Sequence, residues 1–228
     1  DDDGVVDIGI GTRGTSRMRA YFYNGSGEFL FECWNNDGSE KSQMYPRGLT
    51  TDDDIIIEHL CGYFHEDRHR AYAVYDRNTG KEKWRYKVGP GFLLRSVADF
   101  DSDGLLEFAN YAATHHNGCK ANGTSDDDIW MIIVDENGNE EFSKKYPPPS
   151  DGRSSHVFAD LDNDGTMQIL GFEGHDPRHY NGDAQIHLYD QSGNQQHTFT
   201  GPKDERWRSS YAIADIRGDS GKEVIASV

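Results

Sequence analysis

The chain has 228 residues, of which 35% are hydrophobic and 12% aromatic, with 25 glycines and a formal net charge of −17 at pH 7. That length allows one ordinary domain or a piece of a larger one. The charge excludes simple nucleic-acid binding, which needs a basic footprint, and no stretch reaches the ~20 apolar residues of a membrane-spanning helix.

In chain order, the sequence opens on Asp1-Asp2-Asp3-Gly4, the middle of a motif, with no initiator Met or signal peptide. It therefore reads as a mature or excised piece of something longer. Two strand-like stretches at 20–25 and 29–31 follow, then Thr50, Asp52, Asp54 and Glu58, then strand-like 71–76 and 83–86. The fullest motif is Asp99-Phe100-Asp101-Ser102-Asp103-Gly104-Leu105-Leu106-Glu107, with acids at its first, third, fifth and ninth positions and Gly at the sixth. Strand-like 129–135 and 141–142 come next. Asp160, Asp162, Asp164 and Gly165 then repeat the motif with Gln168 at its ninth position. Strand-like 186–190 and 197–199 lead to a last copy, Asp215, Arg217, Asp219 and Glu223.

Set in one register, Asp1, Asp3, Gly4 and Asp7 are a first copy entered at its third position, and Thr50 to Glu58 a second, with Ile55 where Gly belongs. The third positions fall at 1, 52, 101, 162 and 217. A period near fifty signals a propeller or similar array. Each period holds an apolar strand before the acidic loop, one after it, and a hairpin pair. Asn137-Gly138 and Ser192-Gly193 suit two-residue turns at the hairpin tips. Four antiparallel strands per period make one blade. The expected fold is all-β, a β-propeller of about four four-stranded blades, with repeats at roughly 1–49, 50–98, 99–159 and 160–214 and a partial one at 215–228. Residues 1–228 form one such domain or a segment of it: the two ends pair to close a small ring, or the chain is an arc of a larger one.

The Asp-rich loop with its flanking strands resembles the calcium-binding FG-GAP or VCBS repeats of β-propellers. The stretch from Asp76 to Trp84 is similar to the outer hairpin of PQQ-like propeller repeats. Secreted rhamnogalacturonan lyases of propeller fold combine the two features in a similar way. The resemblance implies that the acidic loops lie on one face and the connections from second to third strand, and from blade to blade, on the other.

Calcium takes about six to eight oxygens in flexible geometry, and alternating Asp side chains around a turn released by Gly104 supply them. The candidate ligands are Asp99, Asp101, Asp103 and Glu107, then Asp160, Asp162 and Asp164, with Asp1, Asp3, Asp7, Asp52, Asp54 and Glu58 in the less complete copies. In the last copy Arg217 puts a cation where a ligand belongs, so an internal ion pair is expected there. The structural alternative for every copy is a turn in which Asp side chains accept backbone N–H groups.

The opposite face collects a different chemistry. His65, His115, His116 and His175 follow the second strands, Arg153 and His156, then Trp207, Arg208 and Tyr211, enter the first strands, and Arg95 shares the register of His156 and Tyr211. One reading is a surface for a sugar or anionic glycan, with aromatic stacking and Arg–carboxylate pairing. Another is an eliminative lyase, in which Arg or calcium neutralises a uronate and His115, His175, His156 or Tyr211, beside Arg153 or Arg208, takes the adjacent proton. A third is purely structural or protein-interaction use. Cys33, Cys61 and Cys119 fit no zinc or redox spacing and leave open one disulfide and a free thiol. Asn24-Gly25-Ser26 and Asn122-Gly123-Thr124 are glycosylation sequons. With calcium available outside cells, the expectation is a secreted or cell-surface, calcium-stabilised module that binds an extracellular glycan or protein, with polysaccharide lyase as the alternative.

Overall fold

The computed structural model describes residues 8–11, 19–34, 42–61, 70–146, 152–175, 185–201, 211–218 and 221–226, and among these there are nineteen strands and no helix. Blade 1 is the antiparallel series β1 (Ile8–Gly11), β2 (Arg19–Tyr23) and β3 (Phe29–Trp34). Blade 2 is β4 (Ser42–Leu49), β5 (Ile55–Cys61), β6 (Arg70–Tyr75) and β7 (Glu82–Val88), hydrogen-bonded in that order. Blade 3 begins with β8 (Gly91–Ala98) and β9 (Glu107–Ala113). A short ribbon, β10 (Lys120–Ala121) and β11 (Thr124–Ser125), precedes its outer strands β12 (Trp130–Asp135) and β13 (Glu140–Lys145). Blade 4 is β14 (Gly152–Ala159), β15 (Gln168–His175), β16 (Gln185–Tyr189) and β17 (Gln195–Thr200), and β18 (Tyr211–Ala214) pairs with β19 (Glu223–Ala226). Each four-stranded unit thus consists of the strand before an acidic loop and the three after it, and the sheets are cut one strand earlier than the loop-to-loop repeats.

The apolar cores lie between blades. In blade 2, Ile55, Ile57, Ala73 and Tyr75 face Ala20, Phe22 and Cys33 of blade 1. The alternate residues Ile56, Tyr72 and Val74 face Leu94, Phe108, Ile132 and Val134 of blade 3. Successive side chains of a strand point to opposite faces, so a strand covered on both sides is apolar almost throughout. This is why all six residues of β6 are buried. Phe100, Met131 and Ile133 of blade 3 pack likewise with Phe158, Ile169 and Tyr189 of blade 4.

Blades 3 and 4 are also joined through the main chain. One edge of β9 pairs with β12 through Glu107, Phe108 and Ala109, and then with β14 through Tyr111, Ala112 and Ala113. Asn110 stands at the changeover. Its Nδ2 donates to the Trp130 carbonyl at 2.9 Å and its Oδ1 accepts the Ile132 N–H at 2.9 Å, completing the ladder where β12 leaves.

The outer hairpins are longer than the expected two-residue turns. Asn24, Asp135 and Asp190 each precede a three-residue loop ending in a glycine of positive φ (Gly27, Gly138 and Gly193), and Asp76 precedes a four-residue loop ending in Gly80. Each of these Asx side chains accepts two backbone N–H groups of its loop, as Asp135 Oδ1 does from Asn137 (2.9 Å) and Asn139 (2.7 Å). The extra residue is a bulge in the strand after every tip, at Leu30, Lys83, Glu141 and Gln196, where the pairing shifts opposite Phe22/Tyr23, Val74/Tyr75, Ile133/Val134 and Leu188/Tyr189. Turn, left-handed glycine and bulge together keep the twist of the flanking strands. Cys33 and Cys119 are buried and outside any disulfide, so neither takes up the one that the sequence left open.

Candidate functional site

The acidic loops join β4 to β5, β8 to β9, β14 to β15 and β18 to β19. Antiparallel order puts them at the same end of the blades as the outer hairpin tips. Two of them gather carboxylates: Asp99, Asp101 and Glu107 offer oxygens all within 4.8 Å of one another, and so do Asp160, Asp162 and Asp164. Calcium–oxygen distances of about 2.3–2.6 Å give a coordination sphere roughly 5 Å across, so both groups match its span.

The loops share a backbone signature that the Asp spacing alone does not reveal. Their fourth positions, Asp53, Ser102, Asn163 and Gly218, all have φ between 61° and 71°. Gly104 and Gly165 add a second left-handed residue, at φ 92° and 88°. The ninth position braces the second: Glu107 accepts the Phe100 N–H at 2.6 Å, Gln168 the Leu161 N–H at 2.9 Å, and Glu223 the Ile216 N–H at 2.8 Å.

In the loop at Asp99, Glu107 is buried. Burial first, and then the neighbouring Asp101, Asp103 and Asp99 charges, push its carboxyl up to about 7 against the pull of the Phe100 N–H. Asp99 Oδ1 is buried and has no hydrogen-bond donor among the described residues. A buried acceptor without a donor is costly, and a cation would satisfy it. Asp103 stands outside this group, its Oδ1 accepting the Leu105 N–H at 2.8 Å. In the loop at Asp160, the Asp160 carboxylate accepts the Asp164 and Gly165 N–H groups, and Asp164 accepts that of Thr166 at 2.7 Å. Gln168 is a neutral brace there and does not join the acidic group.

The other copies depart. Eight residues lie between paired Ala98 and Glu107, Ala159 and Gln168, and Ala214 and Glu223, but only five between Leu49 and Ile55. Ile55 therefore takes the place of Glu107, and Glu58 takes the place that Asn110 holds in the interior of blade 3. Glu58 is not brought to its loop. It is buried, pairs with Arg47 at 2.7 Å and accepts the Leu94 N–H at 3.1 Å. Asp53 pairs with Arg77 at 2.9 Å and Asp54 with Lys83. In the last copy Arg217 pairs with Glu223, the internal ion pair the sequence leads one to expect. Asp1, Asp3 and Asp7 lie outside the described residues.

At the opposite end, strand register brings several candidates together. Ala113 pairs with both Gly91 and Arg153, and Gly152 pairs with His175, so these strand ends meet where the segment of His115 and His116 leaves β9. The N–H groups of His115 and His116 donate to the Asp126 carbonyl at 2.9 and 3.2 Å. The half-buried His115 ring lies against Gly91, where a Cβ would strike its Nε2. His116 is exposed at φ 50°, its Nδ1 3.5 Å from Asp127 Oδ1. Beside it an open groove of about 620 Å³ runs along β10 and β11, lined by Lys120, Asn122, Ser125, Asp127 and Asp128 among others. Below it, buried Arg70 of blade 2 donates to the Gly89 carbonyl at 2.5 Å and lies 3.8 Å from buried Asp126. The sequence singled out neither of these two. An Arg at a strand start and an Asp in an Asp run carry no distinctive signal.

Arg95 is exposed at a bulge in β8. His156 has a different place from the one proposed: it is fully buried. Its Nδ1 meets the Asn110 carbonyl at 2.6 Å and its Nε2 the Tyr146 hydroxyl at 2.8 Å, inside the joint between blades 3 and 4. A ring enclosed there cannot reach a ligand. Tyr211 begins β18 and pairs with Ala226. His65, Trp207 and Arg208 lie outside the described residues.

No protein-family model matches the sequence, and no curated protein matches it. Solved structures do. Over 94% of this chain the structure resembles the exotype rhamnogalacturonan lyase YesX, with a TM-score of 0.58 and 16% identity. Over 97% it resembles the quinohemoprotein alcohol dehydrogenase from Comamonas testosteroni, with a TM-score of 0.59 and 13% identity. The fold is of the β-propeller type. The likeness extends to 47% of the lyase and 36% of the dehydrogenase, so this chain spans half or less of each. Its propeller blades do not close into a ring among the described residues.

Proposed function

We propose that this chain is a calcium-stabilised propeller module of extracellular placement that binds a glycan on the face opposite its acidic loops. The observation that carries the reading is the division of chemistry between the two ends of the blades. At one end, two carboxylate groups have the span of a calcium shell, and one contains a buried oxygen without a donor. At the other, a groove of about 620 Å³ offers ammonium, amide, hydroxyl and carboxylate groups beside His116. Such mixed donors and acceptors suit the hydroxyls of a sugar. Millimolar external calcium suits loops with few charged ligands, which supports the extracellular placement.

In the loop at Asp99, Asp101 and Glu107 would hold the ion with Asp99. In the second loop, Asp160, Asp162 and Asp164 would. The ion supplies positive charge that removes carboxylate repulsion and fixes the loop.

A second reading, an eliminative polysaccharide lyase, is favoured by the structural likeness to a rhamnogalacturonan lyase. In it a cationic group neutralises a uronate carboxylate, and His115 or His175 accepts the proton next to it. The two readings separate in one pair of measurements. Binding to an array of acidic and neutral oligosaccharides is scored for the wild type and for His115→Ala. The same proteins are then incubated with uronate polymers while absorbance from new unsaturated ends is followed. Array binding lost in His115→Ala with a flat absorbance trace supports the module. Rising absorbance supports the lyase, and silence in both overturns the ligand-face reading.

A further inference from the structure

The second residue of three of the acidic loops touches the unit that follows. Thr51 N–H donates to Glu136 Oε2 of blade 3 at 2.9 Å. The Phe100 carbonyl accepts from Gln191 Nε2 of blade 4 at 2.8 Å. The Leu161 carbonyl accepts the Lys222 N–H, from the β18–β19 hairpin, at 2.7 Å. Glu136 and Gln191 hold equivalent places, each one residue after the Asp that starts its outer hairpin. The side chains follow the same course. Phe100 is buried and stacks on Phe158 of blade 4 with ring centroids 4.7 Å apart, and Leu161 packs against the same apolar cluster of blade 4 as Ile213 and Val224 of the next hairpin.

In the loop at Asp99 this anchored residue is held from both sides. Glu107 Oε2 takes its N–H and Gln191 Nε2 gives to its carbonyl. Glu107 belongs at the same time to the group that converges with Asp99 and Asp101. Asp99 Oδ1, buried without a donor in that group, is the atom that points to a ligand. We infer that Gln191 is a positioning residue, supplied by blade 4, for a divalent cation at Asp99, Asp101 and Glu107, and that binding there tightens the joint between blades 3 and 4. The inference rests on the calcium reading above. Without the ion, several carboxylates repel one another across the loop. With it their oxygens converge, Glu107 is fixed, and the Phe100 peptide becomes a fixed acceptor for the Gln191 amide. Linkage makes the effect reciprocal: whatever holds the Phe100 carbonyl in place also strengthens ion binding. The loop at Asp160 draws its anchor from Lys222 and does not depend on Gln191.

The test titrates calcium chloride calorimetrically into the whole chain and into Gln191→Asn, which keeps the amide but is one methylene too short to reach. Gln191→Ala serves as a second variant. Hydrogen exchange across 190–196 is followed with and without calcium. The expected result is a loss of about 3- to 10-fold in affinity for one of two sites, the magnitude of one hydrogen bond, with the second site unchanged. The calcium-induced slowing of exchange across 190–196 disappears in both variants. Wild-type binding matched within about twofold by both variants, with the slowing intact, overturns the joint. A wild type that takes up no calcium overturns the calcium reading itself, and the joint falls with it.

Discussion

His156 Nδ1 in β14 lies 2.6 Å from the Asn110 carbonyl in β9, so one imidazole locks the second strand of blade 3 to the first strand of blade 4. Burial, foremost, holds that ring down to about 3, with nearby His187 adding to the effect and the Asn110 carbonyl opposing it. The folded protein keeps the ring neutral, whereas the unfolded chain protonates it below its usual value near 6.5. The stabilising contribution is therefore complete above pH 6.5 and is lost as pH falls from 6.5 toward 3, at up to about 1.4 kcal/mol per pH unit. Urea unfolding of the wild type and of His156→Gln between pH 7.5 and 5 should give converging stabilities as pH falls. Parallel curves would show that the ring is not held neutral.

Removal of calcium should lower the melting temperature by about 5–15 °C, from the stabilisation expected of two bound ions and the usual dependence of melting temperature on stability. Asp101→Ala and Asp162→Ala should each abolish part of that shift in scanning calorimetry, and the double variant should be indifferent to chelator. Asp103→Ala, which alters a carboxylate outside the converging group, should keep most of it.

Glu58 is buried with Arg47 as its ion-pair partner, and burial raises its carboxyl above the usual range despite Arg47. Arg47→Ala should cost about 1.5–3 kcal/mol, because it leaves a buried acid without its charge-assisted bonds. Glu58→Gln in the Arg47→Ala background should recover most of that loss, since no buried charge remains. A double-mutant cycle by chemical denaturation measures it. Additive losses would contradict the pairing.

Gly27 and Gly138 end equivalent hairpin loops with φ of 84° and 87°. A Cβ on Gly27 meets nothing within 4 Å, whereas on Gly138 it would meet Trp84 ring atoms at 2.8 and 2.9 Å. Gly27→Ala should therefore cost only the left-handed strain, about 1–2 kcal/mol. Gly138→Ala should cost about 1–3 kcal/mol more for overpacking against the indole. Equal losses in thermal unfolding would remove Trp84 from the account.

The all-β class, the four strands per unit and the assignment of loops to two ends were legible in the sequence. Alternating apolar residues and turn residues act locally, and each repeat restates them. The two best carboxylate groups were legible for the same reason, and so was the Arg217–Glu223 pair. Glu58 was misplaced because counting from the Asp pattern runs through a loop three residues short, and only strand pairing reveals that Ile55 stands opposite Leu49. His156 was misjudged because position in a strand does not say whether the next blade covers that side of it. The anchor at loop position two left a signal that went unread: Phe100, Leu161 and Ile216 are apolar residues recurring inside otherwise acidic loops. Phe100 is buried and Leu161 partly so, while Ile216 is 61% exposed.

The divided edge of β9 bears on how the molecule comes apart. Where neighbouring blades share no strand pairing among the described residues, as blades 2 and 3 do not, one can peel from the other without breaking a ladder. Blades 3 and 4 have a stitched seam: pulling β14 away also strips main-chain bonds from β9 and uncovers Asn110 and His156. A fragment ending after Tyr146 would carry a raw strand edge prone to pair with other chains. A divide at Gly89 would break no strand pairing, and would instead uncover the apolar face that Ile56, Tyr72 and Val74 press against blade 3.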